Sequence, residues 1–264
     1  MNLFCMSGLP RSGSTLLSGI LHQNPSIYVS GTSGILSLLT NIRNHWDDVS
    51  EFKSMEDSKA RKLSTMKGAL AGYYKSVDRP VVIDKCRGWP AHIEMLESLG
   101  YSPKIIVTVR DVRSVLSSLE NLWIKMKKDN TQHEFEKTNP IEYQTCDGRC
   151  RVLMSPGGIV GSSIQSIVDA VDRGYKKHLH FVEYDELCLK PAHTVDKVYD
   201  FLEMPRWVHD FSNVTQSVPE NDRHYGWGSL HEIRKKVEYN RTNLSLPLGV
   251  KVQYAECATF WKSL

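Results

Sequence analysis

The sequence has no apolar stretch approaching the roughly 20 residues that a membrane-spanning helix needs. Its first apolar run, residues 3–6, is too short for the core of a secretory leader and passes straight into a glycine-bearing loop. A cytoplasmic setting with no membrane span is therefore expected. The strong basic bias of a nucleic-acid protein is also missing. The formal net charge is only +3 over 264 residues, so nucleic acid is not an expected partner, whereas a small anion in a local basic pocket is compatible with it. The six cysteines are spread thinly, and only Cys146 and Cys150 lie close together, in CDGRC. A structural zinc site wants a second pair, which is absent. Free thiols in a reducing compartment are the expectation, with a local 146–150 disulfide as the alternative. There is no internal repeat and no low-complexity tract. Three Asn-x-Ser/Thr sequons, at Asn213, Asn240 and Asn243, bear on function only in a secreted chain and are set aside.

What the chain does have is 41% hydrophobic and 24% charged residues. At this length that supports a core without staples and one large domain spanning 1–264. Short β-branched apolar runs alternate with helical patterns. Strands are predicted over 3–7, 27–29, 80–84 (PVVID), 104–110 (KIIVTVR) and 179–184 (LHFVEY). Helices are predicted over 15–22, 34–45, 55–76, 90–99, 112–126 and 191–202. This alternation predicts an α/β fold with a central parallel sheet flanked by helices, which binds ligands at the carboxyl ends of its strands. Residues 127–158 break the rhythm, being polar and aperiodic, and are expected to form a lid or insertion. The tail from about 213 shows no strand pattern and carries the aromatic and basic stretch RHYGWGSLHEIRKK.

The opening segment GLPRSGSTLL is almost the phosphate loop G-x-x-x-x-G-K-[ST]. Gly8, Gly13 and Thr15 fit, but Ser14 stands where the lysine belongs, and a cation appears earlier as Arg11. A strand, a glycine-bearing turn and a helix N-terminus aim backbone N–H groups and the helix dipole at one point. Ser12, Ser14 and Thr15 add hydroxyls. The absent lysine argues against a nucleoside triphosphatase, because that lysine reaches the β- and γ-phosphates. The 104–110 strand ends in Arg110 rather than in an acidic metal ligand. The loop therefore reads as built for a metal-free anion.

PRSGSTLL (10–17) resembles the 5′-phosphosulfate loop of the sulfotransferases that use 3′-phosphoadenosine-5′-phosphosulfate (PAPS), closest to the tyrosylprotein and carbohydrate branches. VTVRDVRSVLSSL (107–119) is similar to the family's 3′-phosphate motif, in which a strand-ending arginine and a serine eight residues later hold that phosphate. Arg110 and Ser118 have this spacing. FVEYDELCLKP (181–191) resembles the family's V-x-Y-E-x-L-x-x-x-P segment, which implies that Tyr184 approaches the nucleotide. The resemblance implies a P-loop sulfotransferase fold and donor binding by Pro10, Arg11, Ser12, Gly13, Ser14, Thr15, Leu16, Arg110, Ser118 and Tyr184. Arg11 would attend the bridging oxygen. Lys85, at the end of the 80–84 strand, would be a second catalytic cation. The product would be adenosine 3′,5′-bisphosphate, and the acceptor a small molecule, carbohydrate or peptide. No metal is implied.

One position departs from that pattern. The tyrosylprotein branch carries a glutamate base 21 residues after the loop arginine, where this chain has Thr32. A threonine is not a conventional general base. His231 in the tail is the remaining candidate, and Gly228, Arg234 and Lys235 are candidates for closing the nucleotide site. Two other readings stay open: a sulfotransferase-like nucleotide-binding protein without catalysis, and a nucleotide kinase or NTPase with an altered loop.

Overall fold

A computed structural model describes residues 2–129, 134–239 and 245–264. Residues 130–133 of the expected insertion, and the sequons at Asn240 and Asn243, lie outside the described residues. The aliphatic runs form five parallel strands: β1 (Asn2–Gly8), β2 (Ile27–Thr32), β3 (Val81–Lys85), β4 (Ile105–Val109) and β5 (Leu179–Glu183). They lie side by side in the order β2-β3-β1-β4-β5. Register sets Met6 beside Lys85, Thr32 beside Lys85, and Gly8 beside Thr108. The residues at those strand ends therefore share one edge.

Both faces of the sheet are covered, as an all-parallel sheet requires. The period of two decides which residue goes where. Leu3 and Cys5 join one core cluster while Phe4 and Met6 join the other. On the face of Phe4 and Met6 lie α1 (Ser14–His22) and α11 (Pro191–Leu202), which contribute Leu17, Ile20, Leu21, Val195, Val198 and Leu202. On the opposite face lie α2 (Ile35–His45), α4 (Ser58–Tyr73), α5 (Ile93–Ser98) and α9 (Gly161–Asp172). A short helix α3 (Ser50–Lys53) links α2 to α4. Beyond the carboxyl edge a third cluster forms around α6 (Val112–Lys128) and α8 (Cys146–Met154), into which Trp227, Leu246, Val250 and Tyr254 from the tail also pack.

The 127–158 region carries regular structure in its described part. It contains α7 (Glu134–Thr138) and α8, and Thr145 caps α8 by accepting a hydrogen bond from the Gly148 N–H at 3.0 Å. Polar residues hide this helix from the hydrophobic pattern. Its buried Arg149 is paired with Glu120 of α6 and lies over the Trp123 ring. Cys146 and Cys150 stand one turn apart on α8 as free thiols, as are the other four cysteines. Elsewhere boundaries shift by a few residues. The predicted 90–99 helix divides into a 3-10 turn, Trp89–His92, and α5. After β5 the chain turns into α10 (Tyr184–Leu189) before α11. The tail forms no strand among its described residues. Backbone bonds from Val214 N to Lys235 O (2.7 Å) and from Val237 N to Phe211 O (2.8 Å) tie it into a loop with a closed neck. No helix among the described residues is long and apolar enough to cross a membrane.

Candidate functional site

After β1 the chain goes to α1 on one face of the sheet. After β2 and β3 it leads to helices on the other face, and after β4 to α6 beyond the carboxyl edge. The divergence opens a crevice at the carboxyl end of β1, the place where open α/β sheets take ligands. A cavity of about 450 Å³ fills it, lined by six Lys and Arg side chains (Arg11, Lys85, Arg87, Arg110, Arg234, Lys236) against two glutamates, Glu232 and Glu238. That is a basic cleft of ligand size.

The loop between β1 and α1 forms its floor. Gly8 has φ 133° and Arg11 φ 59°. An arginine in the left-handed region is a local strain that folds hold mainly at functional turns. Gly13 caps α1 with φ 91°, so the first N–H groups of the helix open toward the cavity with no side chain covering them. Ser14, Thr15 and Leu16 line it, as do Pro10, Arg11 and Gly13. Ser12 does not. Its hydroxyl is buried against β4, 2.5 Å from Leu9 O, 3.0 Å from Thr108 O and 2.7 Å from Thr108 Oγ1. It ties the loop to the sheet.

Arg110, Ser118 and Tyr184 come together on the β4 side. Asp111 caps α6 by accepting from the Arg113 and Ser114 N–H groups, which leaves Arg110 at the end of β4 facing the loop. Its guanidinium donates to Arg11 O at 3.0 Å and lies 4.0 Å from the centre of the Tyr184 ring, a cation–π distance. Tyr184 opens α10 and packs against Gly13. Arg11 Nε donates to Ser118 Oγ at 3.1 Å, and its NH1 donates to Leu230 O. Burial first, and then the Arg110 charge, push the Arg11 guanidinium below its ordinary value. An anion bound between the two arginines would relieve that repulsion. Ser114, one turn before Ser118, does not line the cavity.

Lys85 sits on the β3 side, apart from this group. Its ammonium is buried and paired with Glu220 Oε2 at 2.9 Å. Burial lowers the Lys85 value, and Glu220 opposes the shift. Glu220 comes from the tail. Its Oε1 accepts from the Thr32 N–H at 2.9 Å and from the Tyr225 hydroxyl at 3.3 Å. Burial raises the Glu220 value, but Lys85 and Thr32 outweigh it and leave the carboxyl below its ordinary range. Gly31 makes room: a Cβ there would stand 3.2 Å from Glu220 Cγ. His231 completes the group, with Nε2 3.2 Å from Thr32 Oγ1 and Nδ1 2.5 Å from Asp222 Oδ1.

Sequence reasoning missed Glu220 and Asp222. The only signal was the density of titratable residues in the aperiodic tail. Of the tail's other candidates, Arg234 lines the cavity, while Gly228 and Lys235 do not.

The model of the sulfotransferase family matches residues 4–209. Nodulation protein H of Rhizobium tropici is 22% identical over 225 residues, covering 80% of this chain and 78% of that protein. The sulfotransferase domain of the Synechococcus PCC 7002 olefin synthase has the same architecture, with a TM-score of 0.57 at 16% identity over 99% of this chain and 94% of that one. The sulfotransferase domain of the curacin biosynthetic pathway gives 0.55 at 16% identity, covering 97% of this chain and 96% of that one. Sulfotransferase STF9 of Mycobacterium avium gives 0.55 at 16%, covering 100% and 77% respectively.

Proposed function

Because this chain belongs to the sulfotransferase family, we propose that it moves a sulfuryl group from PAPS to a hydroxyl or amine acceptor, releasing adenosine 3′,5′-bisphosphate. The whole of 1–264 acts as one sulfotransferase domain in this reading, working in a reducing, cytoplasmic setting in which its six thiols stay free. The observation that carries the reading is the Arg11–Arg110–Ser118 group beside the loop.

PAPS has two anionic ends, and the cavity offers two cationic sides. Arg110 and Ser118 are suited to the 3′-phosphate, with Tyr184 as a wall beside them. The open N–H groups at the start of α1, with Ser14 and Thr15, are suited to the 5′-phosphosulfate. The S–O bond to the bridging oxygen breaks during transfer, so negative charge grows on that oxygen. Donors already in place for that charge lower the barrier without reorganising. Arg11 and Lys85 have this role, Lys85 from the β3 side, where its charge is neutralised by Glu220 until an anion enters. No step needs a metal, because the cations and amides supply the electrostatic stabilisation.

The test is incubation with sulfur-labelled PAPS and a panel of sugars, phenols, aliphatic alcohols, amines and tyrosine peptides, following both label transfer and bisphosphate release. Transfer to one acceptor class with stoichiometric bisphosphate is expected. Magnesium-dependent ATP turnover without either product would show an NTPase instead.

A further inference from the structure

Transfer to a hydroxyl leaves a proton to be removed, and the loop side of the cavity offers only cations and hydroxyls. We infer that His231, oriented by Asp222, is the general base, supplied by the tail. This rests on the sulfuryl-transfer reading of the same site.

The tail's closed neck holds both residues in place. Asp222 begins a 3-10 turn, Asp222–Tyr225, and Gly226 with φ 70° reverses the chain. Asp222 then grips His231 twice. Its Oδ2 accepts from the His231 backbone N–H at 2.9 Å, and its Oδ1 faces the ring Nδ1 at 2.5 Å. A carboxylate on Nδ1 fixes the proton there and leaves Nε2 as the acceptor. Nε2 faces Thr32 Oγ1 at 3.2 Å, so with the proton on Nδ1 it is placed to accept from a hydroxyl of the kind an acceptor would present. His231 lines the cavity that the loop and Lys85 also line. A second cavity, walled by Tyr28, Tyr73, Tyr74 and His224, meets the first at Thr32 and Tyr225. An acceptor seated there would enter the first cavity beside Thr32, against which His231 Nε2 rests.

The other carboxylates are poorer bases. Both oxygens of Glu220 are occupied, by Thr32, Tyr225 and Lys85, and the same contacts make it a weak proton acceptor. Glu220 holds Lys85 in place instead. Glu232 and Glu238 are exposed, with no buried partner to aim them. In the step itself the acceptor oxygen attacks sulfur, and its proton passes to His231 Nε2. The bond from sulfur to the bridging oxygen breaks, and its electron pair stays on the 5′-phosphate. The imidazolium, balanced by Asp222, then returns the proton to solvent.

The groups facing the imidazole are Asp222 at Nδ1, Glu220 Oε1 at 3.7 Å from Nε2, Thr32, and the Tyr225 ring edge, with Lys85 behind Glu220. The experiment compares wild type with His231→Gln, Asp222→Asn and Glu220→Gln. It measures bisphosphate affinity by calorimetry, and transfer from PAPS to the best acceptor of the panel, or to water if none is used. Histidine-selective nitrogen NMR reports the His231 tautomer. His231→Gln is expected to bind bisphosphate within about threefold of wild type while transfer falls about a hundredfold to ten-thousandfold. Asp222→Asn is expected to move the proton between ring nitrogens and to cut kcat more than it raises KM. His231→Asn stands in if the glutamine variant fails to fold, as its bisphosphate binding would reveal. Transfer by folded His231→Gln within a few-fold of wild type overturns the inference, as does a wild-type imidazole carrying its proton on Nε2. Loss confined to Glu220→Gln hands the role to Glu220. If wild type neither binds bisphosphate nor releases it from PAPS, the reading of the site falls first.

Discussion

Arg11 and Ser118 meet in a 3.1 Å Nε–H···Oγ hydrogen bond across 107 residues of sequence. The contact joins the loop after β1 to the second turn of α6. It places the loop arginine against the residue that the proposed function gives to the 3′-phosphate. In the proposed function the two arginines of this group would nevertheless meet different charges during reaction. The 3′-phosphate would keep its charge throughout, so Arg110 would provide uniform binding. The bridging oxygen would gain charge only as the bond breaks, so Arg11 would act in the transition state. Arg11→Ala is expected to lower kcat about a hundredfold or more, in line with losing one such donor, with little change in bisphosphate affinity. Arg110→Ala is expected to weaken bisphosphate binding by more than about tenfold, as loss of a charge-assisted pair does, with a modest change in kcat. Calorimetry and steady-state kinetics on both variants check this. The reverse pattern would exchange the two ends of the nucleotide.

The loop's backbone path is set by Gly8. Its φ is +133°, and a Cβ there would lie 2.1 Å from the Thr108 carbonyl oxygen. Gly8→Ala must therefore separate β1 from β4 at the point where the crevice opens. A loss of about 3 kcal/mol or more is expected, read as a fall in Tm of roughly 6–12 °C. Gly34→Ala is the control, since nothing stands within 4 Å of its added methyl. It should change stability by less than about 0.5 kcal/mol.

The buried pair Arg149–Glu120 fastens α8 to α6, with the guanidinium 3.6 Å from the centre of the Trp123 ring. Each side chain is 7% exposed. Arg149→Ala leaves an unpaired buried carboxylate, and a loss of about 3–5 kcal/mol is expected by chemical denaturation. Combining Arg149→Met with Glu120→Gln should recover a substantial part of it, because the uncompensated charge is then gone.

Glu220 gives a pH signature. Its folded value lies below its ordinary one, so its contribution to stability is fully present above the unfolded value of about 4.3 and is lost as pH falls through the folded value. Wild type should lose stability below about pH 5 more steeply than Glu220→Gln. Parallel acid limbs in the two proteins would mean that the Lys85–Glu220 pair contributes nothing there.

Much of the fold was legible because its signals are local. VVID and IIVTV read as buried strands, and GLPRSG marks the turn between a strand and a helix. The cavity residues Arg110 and Ser118 were legible for the same reason, lying eight residues apart on one strand–helix unit. Helix α8 was not, since Arg149 reads as a surface residue until Glu120, 29 positions away, is seen to neutralise it. Nor was the cluster around Thr32. Position 32 read as a vacancy because the carboxylate and imidazole that meet it arrive from residues 188 and 199 positions later. They come on a loop with no periodicity, held only by its neck. Ser12 shows the converse: a hydroxyl in the right motif, turned inward onto Thr108.

The most direct measurement is a calorimetric titration in EDTA with adenosine 3′,5′-bisphosphate, AMP and ATP in parallel, followed by thermal unfolding with each at matched excess. The account predicts tight, chelator-insensitive binding of the bisphosphate, with a stabilisation of about 2.7 kcal/mol at a hundredfold excess over Kd, and far smaller effects from the two nucleotides that lack a 3′-phosphate. Equal responses to AMP and the bisphosphate, or binding that vanishes in EDTA and returns with magnesium, would contradict it.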